Sequence, residues 1–416
     1  MSDSLQVEAF TSLEEIKGLQ GIWNKYSSHV ETDFQLFINL VARRPEFVAP
    51  CVLLVKCRDV PVAMLVGRLE KTSLRTKLGY FSLPALPLRQ LVFVCYGNES
   101  LPLPIAEALA AYVLSRCPSA RADLVRFSNC LCNGTLYESV RRLPNFLRRD
   151  CVPRIYARWR LHLPESYEAF FSSMHSKKRW RLKSHIKHFE TTFGPDITYR
   201  LFTGADETER FFAAAGVLAS ISWQSKLGMG FLNGEEERRR MVIGARNGWW
   251  RAYVLYVKDR PLAYWACEFY RNELNILYTA YDPEFQDYHV GTVLLLRVIR
   301  DMCENQARCI DFGVGAQRYK ENLSNECLLG AEVKVYGSTV RGLLANVLCS
   351  SADCINRLLT AVLKLPGVSK LDPKWMAHRE IKSRKQLHLL AGKYVAQKSR
   401  TGTVNPVDNG PTCPIR

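Results

Sequence analysis

Between Leu274 and Lys320 the chain reads as a strand, a sharp break, a helix and a second strand, closing on a polar turn that carries Tyr319 and Lys320. Few folds accommodate that order. The first strand, Leu274 to Tyr281, must stop at Asp282-Pro283, because proline fixes φ and has no N–H to give to a ladder. A helix then opens on Gly291-Thr292, with Val293, Leu294, Leu296, Val298, Ile299 and Met302 as a wide apolar face. Small residues at such a start leave unpaired N–H groups pointing outward, an arrangement that cradles a pyrophosphate.

Upstream, Trp249 to Val257, Leu262 to Tyr270 and Leu274 to Tyr281 are β-branched and aromatic runs separated by the turns Lys258-Asp259-Arg260 and Arg271-Asn272-Glu273, an antiparallel meander. With the helix and a strand near Cys309 to Phe312 this gives a mixed α/β (α+β) sheet. The N-terminal half echoes it. Val52-Leu53-Leu54-Val55-Lys56 and Pro61-Val62-Ala63 correspond to Val254-Leu255-Tyr256-Val257-Lys258 and Pro261-Leu262-Ala263, and Leu91 to Tyr96, Pro104 to Cys117 and Asp123 to Phe127 repeat strand, helix and strand. Tandem domains at 1–155 and 156–340 are expected. Near the first-half helix stand Glu99 and Pro102, an acid and a donorless residue that oppose anion binding, so this half is read as a scaffold supplying one wall of a substrate groove. Leu343 to Leu365 has helical spacing and Lys374 to Lys398 is basic, giving a helical basic appendage at 341–398. The remainder, 399–416, has the composition of a disordered tail.

Across 416 residues the charge is +17, which calls for an anionic partner or surface without choosing among CoA, lipid headgroups, nucleotide-linked precursors and tRNA. No apolar run approaches the ~18 residues of a membrane span, and Met1-Ser2-Asp3-Ser4 lacks a basic region before an apolar one. A cytoplasmic protein, in peripheral contact with anionic membrane at most, is expected. The 14 cysteines are scattered through apolar segments and read as small core residues; Cys130-Leu131-Cys132 lacks the spacing and histidines of a zinc site, so no metal is expected.

Tyr281-Asp282-Pro283, Gly291-Thr292-Val293-Leu294-Leu295, Asp311-Phe312-Gly313-Val314-Gly315 and Tyr319-Lys320 follow one another at distances that resemble the CelD/BioF-like acetyltransferase domain of the GNAT superfamily. Lys178-Arg179-Trp180-Arg181-Leu182, Ser222-Trp223-Gln224 and Pro261-Leu262-Ala263 extend the resemblance over about residues 164–340. Where such relatives carry Ser-Pro before the helix glycine, this chain has His289-Val290. The resemblance implies transfer of an acetyl or other acyl group from acyl-CoA to an amine, in the setting of exopolysaccharide or cellulose biosynthesis, with the cofactor between two splayed strands. It also implies an acceptor that is an amine-bearing small molecule or envelope-polysaccharide precursor. Related FemAB-like tandem enzymes leave aminoacyl transfer from charged tRNA open, and His289-Val290 leaves open a third alternative, a catalytically silent binding subunit of a polysaccharide machine.

Acyl transfer requires a held thioester, a deprotonated amine and a proton for the leaving thiolate. Backbone donors from Tyr278 to Tyr281 are expected to hold the pantetheine arm, and Gly291 and Thr292 the diphosphate. Tyr319 is the candidate acid, since a phenol titrates near a thiol; Asp311 and Glu268 are the candidate bases. The helix Ser176 to Phe189 buries Leu182, Ile186 and Phe189 and turns out a face of one charge sign, so Lys178, Arg179 and Arg181 are expected at an anionic acceptor, with Trp223 bordering its groove and Lys320 pairing with a phosphate or carboxylate. Gly313 and Gly315 lack the third glycine of a dinucleotide fingerprint.

Overall fold

In the computed structural model, which describes residues 5–78, 81–98, 100–116, 122–151, 153–222, 231, 234–315 and 317–362, the strands in chain order are β1 (Leu5–Phe10), β2 (Phe47–Cys57), β3 (Val60–Leu74), the short pair β4 (Lys77–Leu78) and β5 (Phe81–Ser82), β6 (Leu86–Val94), β7 (Leu124–Leu131), β8 (Arg154–His162), β9 (Ile197–Phe202), β10 (Trp250–Val257), β11 (Arg260–Tyr270), β12 (Glu273–Tyr281), β13 (Cys309–Val314) and β14 (Glu326–Tyr336). The hairpins β2–β3 and β10–β11 break register at the same place. Cys57 faces Val60 and Lys56 faces Pro61, after which Val55 faces Ala63; likewise Val257 faces Arg260 and Tyr256 faces Pro261, after which Leu255 faces Ala263. Each leaves one residue, Val62 or Leu262, without an opposite number. A proline supplies no ladder donor, so a bulge beside it is the expected response. The internal repeat is therefore present in backbone geometry as well as in sequence.

Twelve described strands form one mixed sheet in the order β1-β2-β3-β6-β7-β14-β8-β13-β12-β11-β10-β9. Its two halves mirror each other: β6 and β7 pair in parallel across the helix Leu103–Arg116, as β12 and β13 do across Val290–Glu304. The halves also exchange strands. β8 leaves the first half to lie against β13, while β14 returns to lie against β7, and β8 and β14 pair with each other. A boundary at 155/156 consequently falls inside β8, and one at 340/341 falls inside the helix Val340–Val362. Residues 1–363 form one compact unit.

Both sheet faces are covered, which explains the unbroken apolar run Val52–Val55. Leu53 and Val55 meet Leu109 and Val113 on one face; Val52 and Leu54 meet Trp23, Phe34 and Phe37 on the other. In the second half Phe211, Trp250 and Tyr264 make an aromatic core beneath the helix Thr208–Ile221. Arg58 and Asp59, then Arg271 and Asn272, all have positive φ, the conformation a two-residue hairpin turn needs. Cys95, Cys130, Cys267, Cys303 and Cys309 are buried, whereas Cys51 and Cys57 are half-buried, and the described cysteines are free thiols. Among the described residues no helix is long and apolar enough to cross a membrane and no group of metal-ligating side chains is found. Glu99, Trp223, the basic segment 374–398 and the tail 399–416 lie outside the described residues.

Candidate functional site

Strands β12 and β13 pair at only three positions, Glu273 to Asn275 against Cys309 to Asp311. Beyond them β12 continues to Tyr281 alongside β11, while β13 shifts register against β8 between Asp311 and Gly313 and ends at Val314, with Gly313 and Gly315 at φ of +69° and +135°. Those values lie where side chains are rarely tolerated. The parallel pair thus opens where the sequence reading places a splayed cofactor site.

The helix Val290–Glu304 buries Val290, Val293, Leu294, Leu296, Val298, Ile299 and Met302. It is reached through a 3-10 turn, Pro283–Tyr288, and a left-handed His289 at φ 53°. His289 stands where Ser-Pro was the expected pattern, and it still turns the chain sharply. Its carbonyl accepts the N–H groups of Thr292 (2.8 Å) and Val293 (3.0 Å). The Thr292 amide is therefore not the outward donor read from the sequence, because the carbonyl preceding a helix captures the third and fourth amides. Gly291 comes one residue earlier in the turn.

Trp265 of β11 ties this turn to the predicted acid. Its indole N–H donates to the Gly291 carbonyl at 3.2 Å, and its ring meets that of Tyr319 edge-on at 5.6 Å. Phe312 closes the other side of Tyr319 at 6.1 Å. Burial pushes the Tyr319 hydroxyl well above the ordinary phenol range, keeping it protonated. The predicted cofactor tyrosines part company, since alternate residues of a strand face opposite ways. Tyr281 lies against Gly291, whereas Tyr278 packs on Phe231 at 5.6 Å across the sheet.

Neither candidate base has an unoccupied carboxylate. Glu268 is fully buried and clamped by Arg240 through both oxygens, at 2.5 and 2.8 Å. Burial raises its pKa and Arg240 opposes the rise. Asp311 accepts from the Gly313 N–H at 2.7 Å and meets Arg158 at 2.6 Å and Arg160 at 3.2 Å. Its oxygens are thus engaged by the glycine loop and by two guanidinium groups. Lys320 is also committed: it is buried, donates to the Val314 carbonyl at 2.8 Å, and is pushed down to about 8 by burial. It thereby ties the helix Arg318–Leu323 to the end of β13.

The helix Ser176–Phe193 buries Leu182 and Phe189 and leaves Trp180 exposed. It flanks the turn before Val290: His185 packs on His289 at 3.7 Å and His188 on Tyr288 at 5.3 Å. At its other end Lys178 donates to the Asn322 carbonyl. Lys178, Arg179 and Arg181 lie on this helix on the N-terminal side of the two histidines.

A cavity of about 240 Å³ that the sequence did not reveal lies at the splay. Asn275, Ile276, Asp311 and Gly313 form one wall, and residues of the first half form the other. His29 donates or accepts across it to Asn275 Oδ1 at 3.1 Å and stacks on Tyr96 at 3.7 Å. Burial, then Arg158, pushes the His29 imidazole down to about 4. A lone histidine in the sequence gave no sign of this placement.

Residues 176–321 match a family described as an acetyltransferase (GNAT) domain, the stretch that begins with the basic helix and ends just past Tyr319. No curated protein sequence matches the chain. Among solved structures, FemX is similar over 68% of this chain and 87% of its own, at 10% identity and a TM-score of 0.47. A tandem GNAT protein from the clavulanic acid biosynthesis pathway is similar over 81% and 100%, at 11% identity and 0.40. A conserved protein of unknown function from Bacteroides thetaiotaomicron is similar over 65% and 86%, at 13% identity and 0.43.

Proposed function

We propose that this chain is a GNAT-type acyltransferase that moves an acetyl or other acyl group from acyl-CoA to an amine. The observation that carries the reading is the opening of β12 from β13 after three pairs, with Trp265 joining the Gly291 turn to Tyr319 beside it. In this reading the pantetheine arm lies along the exposed backbone of β12, and the diphosphate meets the first turn of the helix at Gly291. The basic helix Ser176–Phe193 serves the donor's anionic end, because it flanks that turn. The CelD/BioF-like motifs support an amine on an envelope-polysaccharide precursor.

The acceptor nitrogen attacks the thioester carbonyl, a C–N bond forms, and the C–S bond breaks with its electron pair on sulfur. Tyr319 donates its proton to the thiolate, and the proton shed by the nitrogen restores the phenol. A buried thiolate is as strained by desolvation as the phenolate, so the high affinity of Tyr319 for its proton does not bar the transfer. Asp311 and Glu268 act as ion-pair anchors in this scheme.

Native mass spectrometry of the intact chain offered acetyl-CoA, CoA and tRNA tests the reading. One acetyl-CoA per chain is expected, with loss of that adduct when Lys178, Arg179 and Arg181 are neutralised together. Retention of tRNA alone would replace acyl-CoA with an aminoacyl donor. If the triple variant keeps acetyl-CoA, the basic helix does not serve the donor.

A further inference from the structure

The cavity at the splay is lined by more positive charge than its own carboxylates neutralise. Arg68 on β3 faces Val92 on β6, and Val92 faces Arg126 on β7. Residues in register across neighbouring strands share a face, so the two arginines stand on either side of a valine and point into the same space. Both line the cavity. The other charges there are engaged elsewhere: Arg158, at 2.6 Å, and Arg160, at 3.2 Å, share Asp311, and Glu31 meets Arg240 at 2.9 Å. Arg68 and Arg126 are left with Glu70.

That carboxylate does not serve both. Glu70 meets Arg68 Nε at 3.0 Å and also accepts from Gln90 at 2.5 Å, whereas Arg126 comes no closer to it than 3.9 Å. The Nε of Arg126 is buried with no hydrogen-bond partner among the described residues. A buried guanidinium N–H without an acceptor is costly, and the acceptor it lacks is an oxyanion. Tyr96 stiffens the floor, stacked on His29 at 3.7 Å and carrying the Arg158 guanidinium at 4.4 Å.

We propose that Arg126 and Arg68 bind a carboxylate or phosphate borne by the acceptor amine, so that the first half selects the acceptor while the second half binds the acyl donor. The proposal rests on the acyltransferase reading for the identity of the amine. At about 240 Å³ the cavity is smaller than a typical drug-sized site of roughly 300–1,000 Å³, which restricts it to one compact oxyanionic end of the acceptor. The opposite wall, Asn275 to Gly313, is the splay itself, so an anion held here presents a neighbouring amine toward the thioester. The first half is then a specificity module and not a bare scaffold.

The test has two parts, each on the full chain. Matched acceptors are compared with acetyl-CoA by release of the CoA thiol: glucosamine against glucosamine 6-phosphate, and alanine against its methyl ester. The expected result is a KM at least about tenfold lower for one anionic member than for its neutral partner. The phosphate and carboxylate pairs identify which oxyanion is used. In Arg126→Gln that preference disappears through KM, and in Arg126→Lys, which keeps the charge without the fork, it is partly retained. Equal KM within both pairs, or a preference undiminished in Arg126→Gln, overturns the proposal while leaving acyl transfer intact. Thermal stability with and without inorganic phosphate supplies a readout independent of catalysis. Phosphate is expected to raise Tm of the parent and not of Arg126→Gln or Arg68→Gln. An equal rise in all three places the anion elsewhere and overturns the site even if acetyl-CoA is never bound.

Discussion

The indole N–H of Trp265 donates to the carbonyl of Gly291 at 3.2 Å while the same ring meets Tyr319 edge-on. One side chain of the meander thus sets the spacing between the proposed phosphate turn and the proposed acid. Trp265→Phe keeps a ring and removes the donor. It is expected to weaken acetyl-CoA binding about fivefold, the worth of one hydrogen bond near 1 kcal/mol, and calorimetric titration reads the change. Unaltered affinity together with unaltered turnover would show that the link is incidental.

Glu268 offers a clean separation of structural and catalytic roles. Arg240→Met strands a fully buried carboxylate and is expected to cost about 3–5 kcal/mol of stability. Adding Glu268→Leu should recover part of the loss, with Glu31 still short of its Arg240 partner, as measured by urea unfolding. If the double variant, once folded, still turns over at the parental rate, Glu268 is an anchor. A loss of turnover confined to variants at Glu268 would restore it as a base.

His29 should give the protein an acid-sensitive stability. Its folded pKa of about 4 lies below the ordinary 6.5, so between those values the unfolded chain takes up a proton that the folded chain refuses. Stability therefore falls as pH drops from 6.5 toward 4, by on the order of 3 kcal/mol for a group so shifted. Tm measured across that range should fall less steeply in His29→Gln than in the parent. Parallel slopes would mean that His29 is not held neutral.

Much of this arrangement was legible in the sequence because it is written locally. Prolines at 61 and 261 mark where the hairpins bulge, and the apolar face from Val293 to Met302 specifies a crossover helix between β12 and β13. The exchange of β8 and β14 was not legible, because a strand's own pattern records which face is buried and not which neighbour it will have. For the same reason the sequence could suggest that Asp311, near a strand end beside two glycines, and Glu268, on a strand face with Tyr264 and Tyr270, were bases, since only the fold brings up Arg158 and Arg240. Arg68 and Arg126 are separated by many residues and adjoin one cavity only after β3, β6 and β7 are in register.

Tyr319 is expected to act as the proton donor to the leaving thiolate. Tyr319→Phe retains the packing on Trp265 and Phe312, so folding and acetyl-CoA affinity should survive while kcat falls roughly 10²- to 10⁴-fold, the usual reach of positioned acid catalysis. Single-turnover kinetics distinguishes a chemical defect from a masked one. A parental single-turnover rate would end the catalytic assignment.

The central claim is that acyl-CoA occupies the splay between β12 and β13 with its diphosphate at Gly291. Gly291 has room for a side chain, since a Cβ built there comes no closer than 3.6 Å to the Tyr281 ring. Titration of acetyl-CoA into the parent, Gly291→Ala and Gly291→Glu is the most direct measurement. The account predicts one site per chain, little change in the alanine variant, and affinity weakened roughly 100-fold or more in the glutamate variant, where a like charge faces the diphosphate. Acetyl-CoA bound equally well by a folded Gly291→Glu would contradict it.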